Sequence, residues 1–114
     1  MGDLNVLLAE QLEAMHDAYA AKLPEKIRDL EETWDALSKN NWDLEGLTKL
    51  HRQAHTLAGS SATFGCIASS KAVRALELGV KKIMESGCPP TIEQRNQISQ
   101  WLNSLKQSQP NSAH

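Results

Sequence analysis

Cysteine, aromatic side chains and charge of one sign are all scarce in this sequence, and each scarcity removes a class of protein. Cys66 and Cys88 are the only two cysteines. They form no Cys-x-x-Cys unit and fit reduced thiols better than a disulfide framework. Aromatics make up 4% of the chain, and Trp34, Trp42 and Trp101 are spaced to cover a core and its ends rather than to build a ligand cage. No small-molecule substrate or bound cofactor is therefore expected. Lys and Arg number 12 against 14 Asp and Glu, a formal charge of −2, and no basic stripe is present. That balance argues against a nucleic-acid partner, whose phosphates call for a cationic face. No run of about 18 apolar residues occurs, so nothing is expected to span a bilayer. The start Met1-Gly2-Asp3-Leu4 lacks a charged region followed by an apolar one, and a cytoplasmic setting is expected.

What the chain does have is a helical period nearly throughout. Its 114 residues and pI near 6.1 suit one domain with one core, and no repeat or strand pattern interrupts it. Asp3 is placed to cap a first helix in which Leu4, Leu8, Leu12, Met15 and Tyr19 recur at spacings of three and four. Pro24 cannot donate an interior helical hydrogen bond, so a kink or a fresh helix is expected there. Ile27, Leu30, Trp34 and Leu37 then face inward. Ser38-Lys39-Asn40-Asn41 closes that segment, and Asn41 or Asp43 opens the next. Gly65 suits the left-handed residue after a helix ending near Phe64. Ala68, Ala72, Leu76, Gly79, Val80 and Ile83 form the following stripe. After the break Ser86-Gly87-Cys88-Pro89-Pro90, Thr91 and Gln94 make a capping box ahead of Ile92, Ile98, Leu102 and Leu105. The expected architecture is all-α: an up-down-up-down four-helix bundle with an additional N-terminal helix over 1–107, and a disordered tail or linker over 108–114. A monomer is expected, since no exposed apolar run demands a second copy.

The stretch from His51 to Gly65 departs from the bland pattern. At about 100° per residue, Leu47, Leu50, Ala54, Leu57 and Ser61 share one face, and His55 stands roughly 120° from its centre, toward solvent. One turn on lies Gly59, a residue that costs a helix interior about 1 kcal/mol relative to Ala. With Ala58 and Ala62 it lines the C-terminal side of His55 with small groups, while His51 and Arg52 lie one turn before. An unperturbed imidazole, pKa about 6.5, is largely neutral at pH 7 and offers a nitrogen lone pair. The i, i+4 pair His51 and His55 also invites a zinc reading. It lacks the Glu of His-Glu-x-x-His, and no further ligand is evident, so no metal is expected.

His55-Thr56-Leu57-Ala58-Gly59-Ser60-Ser61, with Phe64-Gly65 and later Leu76-Glu77, resembles the signature of histidine phosphotransfer (HPt) domains: His-x-Leu-Lys-Gly-Ser, then apolar-Gly. Ala58 stands where that family usually has Lys. The resemblance implies that His55 takes a phosphoryl group from an aspartyl phosphate on a receiver domain of a response regulator or hybrid sensor kinase, and hands it to a second receiver aspartate. It implies a carrier rather than an enzyme, with Mg²⁺ supplied by the receiver. Ala58, Gly59 and Ala62 would give access, and Arg52 or Lys71 would replace the missing cation. The alternative is a helical interaction domain of the same fold that no longer transfers phosphate. A histidine-kinase dimerisation domain fits less well, because Thr56 follows His55 where an acidic residue would be expected.

Overall fold

Pro24 does not divide the first segment. In the computed structural model, which describes residues 2–107, α1 runs unbroken from Gly2–Lys39 with Pro24 inside it. The additional N-terminal helix expected from the sequence is thus the first half of α1. An interior proline forfeits one hydrogen bond and costs about 3 kcal/mol. Leu23 and Ile27, on either side of it, are both buried to within 1% of completeness, and each fully buried aliphatic side chain contributes roughly 2 kcal/mol. Packing on both sides outweighs the local defect.

Three further helices follow: α2 (Leu44–Thr63), α3 (Ile67–Ser86) and α4 (Ile92–Gln107). No strand occurs among the described residues. The expectation of a disordered tail over 108–114 falls outside them. No helix is long and apolar enough to cross a membrane among the described residues. Leu23, Ile27, Leu30 and Leu37 of α1 meet Leu50 and Ala54 of α2, Val73, Leu76, Val80 and Ile83 of α3, and Ile98 and Leu105 of α4 in one core. The inward stripe of α3 starts differently from its expected course. Ser69, Ser70 and Val73 are buried, whereas Ala68 is exposed and Ala72 only half-buried. Ser70 turns inward because its hydroxyl donates to the Ala58 carbonyl at 2.9 Å, satisfying a polar group that would otherwise be costly to bury.

The corners follow the local chemistry. Asp43 caps α2, its carboxylate accepting from the Gly46 amide at 3.3 Å, and the preceding turn puts Asn41 and Trp42 at positive φ. Gly65 adopts φ 82° after the C-cap Phe64, a conformation that glycine enters without a Cβ penalty. Thr91 and Gln94 close a reciprocal capping box: the Gln94 amide donates to the Thr91 hydroxyl at 3.1 Å, and the Thr91 amide donates to the Gln94 side chain at 2.9 Å. Between α3 and α4 the backbone approach is close. A Cβ on Gly79 would run into the Trp101 ring and Ile98.

Candidate functional site

α2 carries the site because one of its faces is buried and the opposite one is open. Leu47, Leu50, Ala54, Leu57 and Ser61 are buried, which turns His55 outward with 70% of its side chain exposed. Tyr19 fixes the C-terminal end of α2 against α1. Its hydroxyl lies 2.6 Å from Ser60 Oγ and 3.2 Å from Ser61 Oγ, and its ring stacks on Phe64 with centroids 5.0 Å apart.

The imidazole stands in the open but is not free to turn. Its Nδ1 is 2.8 Å from Glu77 Oε2 on α3, and Glu77 is itself held in, with 16% of its side chain exposed. A carboxylate can only accept, so this contact selects the tautomer with the proton on Nδ1 and leaves the lone pair on Nε2. His51 approaches the same carboxylate oxygen through Nε2 at 3.7 Å. Its ring lies nearly parallel to that of His55, with centroids 6.5 Å apart and planes 13° from one another. His51, His55, Glu77, Leu78, Lys81 and Met84 border an open hollow of about 500 Å³ between α2 and α3.

The expected access residues divide. Gly59 has nothing within 4 Å of the position a Cβ would take, so close packing of a neighbouring helix is not what keeps it small. Ala62 is exposed. Ala58 needs correction: it is completely buried. It lies about 60° round α2 from His55 on the side that faces α3, whereas Gly59 is turned about 40° the other way. The expected cations do not border the hollow that holds His55. Arg52 is turned about 60° toward α1 and borders the cleft it forms with Asp29 and Gln53. Lys71 is exposed near the start of α3 and does not border the hollow that holds His55. Lys81 does, and sequence reasoning missed both it and the role of Glu77. The available signal was their i, i+4 spacing on one face of α3. Which face of α3 would meet His55 was not visible.

No group of three or more His, Cys, Asp or Glu is arranged to hold a metal ion among the described residues. What the site presents is a positioned nucleophilic nitrogen beside open space. A family model for the Hpt domain matches residues 8–108. The chain belongs to the Hpt domain family. No curated protein and no solved structure gives a significant match. Hpt domains serve phosphorelays as histidine phosphotransfer carriers rather than as conventional enzymes, and they work with receiver domains. The exposed His55, anchored at Nδ1, is the histidine of this Hpt domain that lies within the His-x-Leu-x-Gly-Ser stretch.

Proposed function

We propose that His55 accepts a phosphoryl group on Nε2 from the aspartyl phosphate of a receiver domain and passes it to the aspartate of another receiver. The observation that carries this reading is the 2.8 Å contact between Nδ1 and Glu77 on a ring with 70% of its side chain exposed. The Nε2 lone pair attacks phosphorus, the bond from phosphorus to the aspartyl oxygen breaks, and its electron pair returns to the receiver carboxylate. The positive charge that develops on the ring is shared through the Nδ1 proton with Glu77, as a charge-assisted hydrogen bond. Transfer to the second receiver runs the same steps backwards.

Alignment and charge neutralisation dominate phosphoryl transfer, commonly through a divalent ion. The receiver supplies Mg²⁺ and its acidic ligands in this reading. This chain supplies the acceptor nitrogen, the open approach over Gly59 and Ala62, and Lys81 as the cation facing the hollow. The up-down-up-down arrangement of the four helices keeps α2 and α3 side by side, with Glu77 held behind the ring.

Mixing the domain with a phosphorylated receiver and examining it by mass spectrometry at neutral pH tests the assignment. Wild type acquires acid-labile, alkali-stable phosphate, and His55→Gln acquires none. Modification of both, or of neither, removes the proposal. Binding without modification of wild type would instead favour a non-transferring interaction domain.

A further inference from the structure

The first four turns of α1 carry an apolar stripe that nothing among the described residues of the other helices covers. Leu4 is 71% exposed, Leu8 54%, Leu12 58% and Met15 50%. At 100° per residue they fall within about 40° of one line along the helix, and Tyr19, Leu23 and Leu30 continue that line into the core. The stripe is the core-facing side of α1, running past the end of the bundle. Its cover begins near His16, whose ring lies 3.4 Å from the position of a Cβ on Gly65, and at Tyr19, which is buried against α2.

We propose that this arm is the seam of a homodimer, the stripe of one copy lying antiparallel on that of a second. The placement of charge favours a second copy over other occupants. Asp3, Glu10, Glu13 and Asp17 all lie about 140° to 180° from the stripe, on the far side of the helix. The positions that border it, Asn5, Gln11 and Ala18, are uncharged, and His16, slightly farther round, lies 3.3 Å from the Asp17 carboxylate. No like charges meet across the seam, and no charged rim selects an oppositely charged partner. A lipid surface fits less well, because interfacial helices carry Lys and Arg on their polar face, and residues 2–21 contain neither.

The area suits a weak, reversible pair. Leu4, Leu8, Leu12 and Met15 are each at least half exposed, on the order of 100 Å² apiece. Two copies would bury about 800 Å², the size of a transient contact rather than a permanent one. An antiparallel register sets Leu4 beside Met15 of the second copy and Leu8 beside Leu12. The hollow at His55 is bordered by no residue of α1, so both sites stay open in the pair. The inference therefore does not depend on the phosphotransfer reading.

Sedimentation equilibrium of the full chain over a range from low micromolar to millimolar concentration tests it. The expected result is a reversible dimer with a micromolar dissociation constant. The variant Leu8→Glu with Leu12→Glu should raise that constant by about a hundredfold or more, with the thermal midpoint unchanged when both proteins are melted well below the wild-type dissociation constant, where each is monomeric and both positions are exposed. In a Cys88→Ser background, Leu4→Cys should cross-link to Met15→Cys on a second copy more readily than either to itself. A monomer throughout the range, a dimer indifferent to the two glutamates, or preferential like-with-like cross-links would each overturn the proposal. So would stripe-dependent flotation of a monomer with phosphatidylcholine vesicles, or loss of receiver binding on arm substitution in a chain that stays monomeric.

Discussion

Glu77 and His55 lie on different helices and meet at 2.8 Å, with the carboxylate mostly buried and the imidazole mostly exposed. This asymmetry holds one ring nitrogen while presenting the other. Hydrogen bonds to a charged group contribute roughly 1.5 to 3 kcal/mol, and about 1.4 kcal/mol corresponds to a tenfold change in rate. Glu77→Ala should therefore slow phosphotransfer to His55 by about ten- to a hundredfold. Glu77→Gln, which keeps an acceptor but not the charge, should fall between. Rapid-quench transfer from a phosphorylated receiver measures the rates. Nitrogen NMR of the ring should show the Nδ1 proton preference weakening in the alanine variant.

Gly59 faces empty space. Gly59→Leu should leave the helix intact and raise stability by up to about 1 kcal/mol, since leucine is the better helix former. It should also abolish phosphotransfer by occupying the approach to Nε2. Circular dichroism and thermal melts check the first half, and phosphate incorporation the second. Retained transfer in a folded variant would mean that the receiver does not approach over Gly59.

Lys81 borders the His55 hollow, whereas Arg52 borders the cleft toward α1 and Lys71 borders neither. Lys81→Gln should consequently slow transfer and shorten the lifetime of the phosphorylated domain by several-fold, a surface electrostatic effect of about 1 kcal/mol. Lys81→Arg should largely restore both. Arg52→Gln and Lys71→Gln should leave both near the wild-type values. Comparing the three rates at low and at high salt checks the electrostatic origin, since screening shrinks only the Lys81 difference.

These cations mark where the sequence stopped being legible. The 100° period placed His55 outside and Leu50, Ala54 and Leu57 inside, and the caps at Asp43 and Thr91 were readable because they are short-range hydrogen-bond patterns. A single helix does not reveal which neighbour packs on which side of it. Arg52, one turn before His55, faces α1, while Ala58, one turn after it, is buried toward α3. Glu77 became part of the site only through the packing of α3 on α2. In α3 Ser70 takes a buried position because its hydroxyl found the Ala58 carbonyl, a partner 12 residues away in the chain, whereas Ser69 is buried with its hydroxyl unpartnered.

Gly79 tests a packing constraint far from the chemistry. A Cβ there meets the Trp101 ring and Ile98, and neither a rigid ring nor a core isoleucine yields without moving α4. Helix propensity alone would make Gly79→Ala stabilising by about 1 kcal/mol. Overpacking costs about 1 to 3 kcal/mol, so the net expectation is destabilisation, with a change in tryptophan fluorescence as Trp101 is displaced. A chemical melt decides the sign. A more stable Gly79→Ala would show that α3 and α4 separate at little cost.

Pro24 offers the opposite test, a local defect kept inside an unbroken helix. Its ring removes the hydrogen bond that residue 24 would donate to the Ala20 carbonyl, a cost of about 3 kcal/mol in a helix interior. The same ring restricts the unfolded chain, which offsets up to about 1 kcal/mol. The side chain itself is exposed, so little packing is lost on its removal. Pro24→Ala should therefore raise the stability of the bundle by about 1 to 2 kcal/mol, readable as a higher denaturation midpoint at constant slope. Phosphate acceptance at His55 should be unaffected, because α1 does not border the hollow around that ring. If Pro24→Ala is neutral or destabilising, the proline ring or the freed carbonyl at Ala20 contributes to how α1 seats on α2. The continuity of α1 would then depend on the proline rather than persist despite it.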